Sequence, residues 1–147
     1  MTLLEVVIVV AIIGILAAVA IPRMGRGSRG ANDSALRANL AILRRAIDLY
    51  ATEHAGTFPT KTDIGEQLTQ YTDIWGDFQT ATDNTHIYGP YLRTIPPLPV
   101  GQRKGKTGIS KNAGVDIGWV YDEDTGAIRA NTLPTETDDT GKKYSDY

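Results

Sequence analysis

Between Met1 and Ile21 the chain carries a single charge, Glu5, a carboxylate set among Leu3, Leu4, Val6 and Val7. An ionised carboxylate in an apolar phase costs several kcal/mol unless it reaches a headgroup or a cation. The nearest cation is an α-amino group. It is either the chain's own, about one helical turn away, or that of a neighbouring copy slid along until Glu5 of one meets Met1 of the next. The second pairing would set the axial register of an assembly. Snorkelling of Glu5 to a headgroup is the plainer alternative.

Other residue groups are weaker candidates. Residues 101–108 contain Gly105-Lys106-Thr107, but Val100 stands where a phosphate-binding loop needs glycine, and a glycine and Ser-Lys follow where the helix should begin. Arg103, Lys104, Lys106 and Lys111 therefore read as a solvated basic loop, able to touch an acidic tail on a neighbour. Aromatics are not interleaved with them, so no nucleic-acid partner is expected. Asp122, Glu123, Asp124 and Gly126 invite a calcium reading, yet Leu133 occupies the place of the closing glutamate, and a turn with solvated acids is the expectation. His54 and His86 lack metal-ligand spacing. No Ser-His-Asp set or carboxylate pair stands out, so the chain is expected to have no catalytic residue, no metal, no cofactor and no enzyme activity.

The element that positions Glu5 is the run from Met1 to Pro22. At about 1.5 Å per residue a helix of that length crosses roughly 30 Å, the thickness of a bilayer's hydrocarbon core. It is longer than the apolar part of a cleaved secretory signal and lacks a basic start. Gly14 and Pro22 each weaken a helix, the first by its backbone freedom and the second by removing an intrahelical bond. Residues 23–34 are rich in glycine and arginine and predict a hinge or local melting. Arg23, Arg26 and Arg29 suit anionic headgroups and, by the positive-inside rule, argue for a cytoplasmic side.

From Ala31 a helical period returns. Leu36, Leu40, Leu43, Ile47 and Tyr50 recur at steps of four and three, Arg44 can pair with Asp48 on the other face, and the helix should end near His54. Asp63 to Glu66 has capping-box spacing ahead of a short helix over about 64–71, and Trp75 and Phe78 should pin the next loop to the core. Tyr91 and Leu92 suggest a brief strand or anchor. Val115, Ile117, Trp119 and Tyr121 alternate, a turn follows at Asp122 to Gly126, and Ile128 and Ala130 continue the pattern, which predicts a hairpin on the helix. The tail from Leu133 is polar and acidic, with Tyr144 and Tyr147 as anchors, either a surface strap or loosely ordered.

The expected fold class is α+β, with a long N-terminal helical spine and a small antiparallel sheet on its C-terminal half. Its parts are an apolar segment at 1–22, a hinge at 23–34, the amphipathic half of the spine at 35–55 and a globular head at 56–147. The chain has 147 residues, enough beyond the apolar run for one small domain. Its net charge of -2 gives no general pull toward nucleic acid, and without cysteine neither a disulfide nor a thiol site is available.

Thr2, Leu3, Leu4 and Glu5, followed by an unbroken apolar run with Gly14 and Pro22, resemble the mature N-terminus of type IV filament subunits, the type IV pilins and the pseudopilins of type II secretion. The aromatic-Pro step after the spine, Phe58-Pro59, adds to the likeness. The resemblance implies removal of a basic leader by a prepilin peptidase and N-methylation of the new first residue. That residue would be Met1, where Phe is usual. It further implies pairing of Glu5 with the amine of an adjacent subunit, and loosening of the helix between Gly14 and Pro22 on leaving the bilayer. The partners implied are other copies in a helical homopolymer, the lipid bilayer before assembly, and the inner-membrane assembly machinery. An inner-membrane pool and a cell-surface filament, or a periplasmic one for a pseudopilus, follow from the same likeness. The lack of cysteine and the segment Gly89-Pro90-Tyr91-Leu92-Arg93-Thr94-Ile95-Pro96 lean toward a major pseudopilin, although Leu98-Pro99-Val100-Gly101 replaces the usual Asp-Pro-Trp-Gly. A membrane-tethered binding module is the reading from another class.

Overall fold

The computed structural model describes the backbone of residues 2–147 and the side chains of these residues except 18–28. It is α+β: an N-terminal helix, α1 (Leu3–Glu53), is followed by a short helix, α2 (Ile64–Thr69), and two small sheets. Strands β1 (Tyr71–Thr72) and β2 (Phe78–Gln79) pair antiparallel. Strands β3 (Gly108–Ser110), β4 (Ile117–Tyr121) and β5 (Ile128–Ala130) form a second sheet, and a 3-10 turn over Tyr144–Asp146 ends the chain.

The seam of steps of four and three decides which side of α1 is buried. Leu36, Leu40, Leu43, Ile47 and Tyr50 are each exposed by 2 % or less, and they share one core with Ile64, Leu68, Trp119, Tyr121, Ile128 and Ala130. Because these residues return to the same face of the helix, one stripe meets both α2 and the second sheet. The helix stops where expected. His54 caps it through its N–H to Tyr50 O at 2.9 Å, and Gly56 donates back to Ala51 O at 2.7 Å. Ala55 between them takes φ 54, the left-handed step that reverses a chain after its last helical turn.

Several expectations are corrected. The second sheet is mixed, since β3 runs parallel to β4 and only β4 and β5 form the hairpin, with Trp119 opposite Ala130 and Tyr121 opposite Ile128. The alternation does not reach back to Val115, which is 81 % exposed, and Val120 is buried as well as Trp119 and Tyr121. Trp119 donates its Nε1–H to Pro96 O at 2.8 Å and Tyr121 its hydroxyl to Pro59 O at 2.9 Å, so each buried aromatic ties down a loop. The short helix ends at Thr69, and Asp63 makes no side-chain cap; its carboxylate takes the Thr60 and Thr62 hydroxyls instead.

Trp75 is 88 % exposed and pins nothing. Its neighbour does so: Gly76 lies against Tyr50 and Gln67, and Gln67 Nε2 donates to Gly76 O at 2.9 Å. Arg44 turns away from Asp48 and donates to Ile128 O and to Tyr147 O. Tyr91 and Leu92 form no strand. They anchor the loop through their N–H groups, both donated to Leu68 O, at 3.0 and 2.8 Å. The tail is a strap: Tyr144 and Tyr147 reach Asp33, Arg37 and Arg44 on α1. The backbone of the expected hinge at 23–34 runs within α1, and the side chains of 23–28 lie outside the described set.

Candidate functional site

The strongest site candidate begins with the cap of α1. Thr2 accepts the N–H of Glu5 on its Oγ1 at 3.3 Å, and Glu5 Oε2 accepts the N–H of Thr2 at 2.7 Å and its hydroxyl at 3.1 Å. This is a reciprocal capping box, which satisfies two of the amide donors that every helix start leaves free. Thr2-Leu3-Leu4-Glu5 carries the Ser/Thr-x-x-Glu signal in plain view, so this role of Thr2 was legible and was missed by reading Glu5 only as a charge. All three bonds between the two residues involve Glu5 Oε2 or its amide, and Met1 lies outside the described residues.

Beyond the cap, residues 6–17 of α1 are apolar on every side. Leu3, Val7, Val10, Ile13 and Leu16 are exposed by 57 to 87 %, and Leu4, Val6, Ile8, Val9, Ile12 and Ile15 by 42 to 69 %. A helix that is apolar all round is stable only when other matter surrounds it, either lipid or other helices. At Gly14 an added Cβ would meet nothing within 4 Å, so among the described residues no contact calls for the glycine. Among the described residues no helix is long and apolar enough to cross a membrane. The run read from the sequence extends through 18–22, and the side chains of these residues, including Pro22, lie outside the described set.

The head binds most of its own charges. Arg103 Nη1 donates to Asn131 Oδ1 at 3.0 Å, Lys106 bridges Asp116 at 2.6 Å, and Lys111 lies 3.7 Å from Asp124. Lys106 beside Asp116 holds that carboxyl below its usual range. In the acidic turn, Asp122 takes the Thr125 hydroxyl at 2.9 Å and the Asp124 N–H at 3.2 Å. Glu123 takes the Lys61 ammonium at 2.6 Å and its N–H at 3.0 Å, and this double contact lowers the Glu123 carboxyl. These carboxylates are turned toward separate partners. Among the described residues no group of three or more acids or histidines is arranged to hold a metal ion.

The two histidines stand apart. His86 sits against Asp83 at 3.1 Å and Asp77 at 3.9 Å. His54 is 2 % exposed, between the end of α1 and the β1–β2 turn. An open groove of about 550 Å³ lies between the β4–β5 turn and the strap, lined by Arg44, Lys111, Arg129, Asp122 and Asp146. With both signs on its walls, it selects neither an anion nor a cation.

No family model, curated protein or solved structure matches this chain.

Proposed function

We propose that the chain is a structural subunit, a major pilin, that polymerises through its N-terminal apolar helix into a filament of the type IV pilus family. The observation that carries the reading is the division of α1. One half is cored into a small head, and the other bears exposed Leu, Val and Ile on all sides with Glu5 as its only charge among residues 2–17. In this reading the fold is pilin-like, a spine with the sheet lying on its C-terminal half, and the apolar half waits in a bilayer until it joins other copies.

Glu5 supplies the register. Its Oε2 is engaged by Thr2 of the same chain, which fixes the side chain close to the helix start, where in the proposed assembly the carboxylate meets the terminal amine of an adjacent copy. Pairing the two charges offsets the cost of taking both out of water. Once the helix leaves lipid, burial of its apolar side chains against other helices contributes about 25 cal/mol per Å². Methylation of Met1 and loosening between Gly14 and Pro22 belong to the same proposal.

A second reading, a major pseudopilin of a secretion system, is favoured by the missing cysteines and by the Gly89–Pro96 segment. Electron microscopy of sheared cells, with mass spectrometry of the protein's N-terminus, tests the proposal. Filaments containing this chain, with a processed and methylated first residue, support it. A dispersed monomer with an unprocessed N-terminal extension sinks it and leaves a membrane-tethered domain.

A further inference from the structure

Trp75 stands 88 % exposed in the turn between β1 and β2, with Ile74 beside it at 42 %. The turn that carries it is fixed. The Asp73 carboxylate accepts the N–H groups of Trp75 and Asp77, both at 2.9 Å, and Gly76 is held inward by Gln67 at 2.9 Å. A large aromatic side chain displayed on a braced turn loses little freedom when a partner covers it, and such residues anchor interfaces.

Charge indicates the partner. From Thr62 to Leu92 the chain has Asp63, Glu66, Asp73, Asp77 and Asp83 and no lysine or arginine; from Arg93 to Val115 it has Arg93, Arg103, Lys104, Lys106 and Lys111 and no acid. The fold sets the Trp75 turn and the Gly101–Gly105 loop at opposite ends of the head. Asp73 O lies 2.8 Å from Nε2 of His54, the cap of α1, whereas Lys104 Nζ donates to Asn32 Oδ1 at 3.4 Å. From Asn32 to His54 a helix rises about 33 Å, too far for the two to meet within one chain.

Beside Lys104 is an open hollow of about 410 Å³, lined by Arg29, Asn32, Pro99, Val100 and Tyr144. It has room for an indole and offers it apolar walls, a phenol ring and two cations, which aromatic faces attract. Asp138 and Asp139 also line it, but Asp138 is occupied by the hydroxyls of Tyr147 and Thr140 and by the Lys142 N–H.

We propose that the Trp75 turn of one copy docks in the Arg29–Lys104 hollow of the next copy along the filament. The inference rests on the filament reading. Copies slid along one another until Glu5 meets the next Met1 keep their heads pointing one way, so the acidic end of each faces the basic end of another. The contact is head-to-tail and therefore repeats without closing.

The test compares the full chain dispersed in detergent micelles with sheared filaments, reading tryptophan fluorescence against a neutral quencher. The chain has two tryptophans, and Trp119 is fully buried, so the accessible emission belongs to Trp75. Its quenching is expected to fall by about fivefold or more on assembly, as an indole passes from water into a packed contact. A second measurement uses the lack of cysteine. Ile74→Cys and Gln102→Cys in one chain stand at the two ends of the head, beyond the roughly 7 Å between α carbons that a disulfide spans. Oxidised filaments of that variant are expected to give a ladder of linked chains, and the dispersed chain none. Filaments whose Trp75 stays as open to quencher as in micelles overturn the docking and leave the filament reading standing. Protection without a ladder puts the indole elsewhere and overturns the hollow as its seat. Failure of the unaltered chain to form filaments overturns both readings.

Discussion

Tyr144 donates its hydroxyl to Asp33 Oδ1 at 2.8 Å, joining residues 111 positions apart and closing the strap over α1. Burial and the neighbouring carboxylate push the Tyr144 hydroxyl well above its ordinary range, so it remains a donor at any ordinary pH. Asp33 is only 5 % exposed. Tyr144→Phe removes the donor and keeps the ring, and is expected to cost about 1–2 kcal/mol of head stability in urea denaturation. An unchanged midpoint would mean that the strap rests on α1 without holding it.

Acid should loosen the same strap through Asp138. Its carboxylate accepts the Tyr147 hydroxyl, then the Thr140 hydroxyl at 2.7 Å and the N–H groups of Thr140 and Lys142 at 2.8 and 2.9 Å. These bonds hold it far below the usual carboxylate range. A lowered value in the folded state stabilises fully above about pH 4, the ordinary carboxylate value, and the contribution is lost as the pH falls further toward the folded value. Tyrosine fluorescence followed into acid is expected to report the release of the tail. In Asp138→Asn that acid step should vanish, at a cost in stability at neutral pH.

Leu40 is 1 % exposed at the centre of the seam. Leu40→Ala is expected to destabilise the head by about 2–5 kcal/mol, the transfer and cavity cost of a buried leucine. Ile42→Ala, at a position 48 % exposed on the same helix, should cost far less. Comparable losses at the two positions would contradict the assigned face.

Gly118 lies in β4 where an added Cβ would run into the Lys106 carbonyl group. That oxygen belongs to backbone, which cannot swing aside as a side-chain end would. Gly118→Ala is therefore expected to cost about 1–3 kcal/mol and to shift the amide resonances of Lys106 and Thr107. Gly65→Ala, where a Cβ meets nothing within 4 Å, serves as the control.

Glu5→Ala tests the proposed assembly. The head has its own core, so circular dichroism and denaturation of the head should be unchanged, while filament yield falls or the subunits lose register. Normal filaments from this variant would remove Glu5 from the mechanism.

Much of the architecture was legible because it is local. The seam from Leu36 to Tyr50 is written in spacing that any helix converts into a stripe, and the stop at His54 needs only the residues beside it. The hairpin of β4 and β5 follows from two short runs and a turn. Thr2 was equally legible as a cap. The errors share a different origin. Trp75 was expected to pin its loop to the core, but a turn directs its side chains by backbone geometry, and here the glycine beside it faces Tyr50. Arg44 has Asp48 one turn away and still goes to Ile128 O and Tyr147 O, because β5 and the folded strap bring those acceptors to it.

The sequence by itself determined which face of α1 would be covered, where that helix would end, and that a lone carboxylate would stand at the start of an apolar rod, since periodicity and charge are properties of neighbours along the chain. Only the tertiary structure decided that β3 joins the hairpin in parallel, that the acidic tail straps Asp33 and Arg37, and that both nitrogens of His54 meet carbonyl oxygens. The strap contacts of Asp33 and Arg37 join residues 111 and 110 positions apart, and the direction each side chain takes there depends on where the rest of the fold leaves its partner.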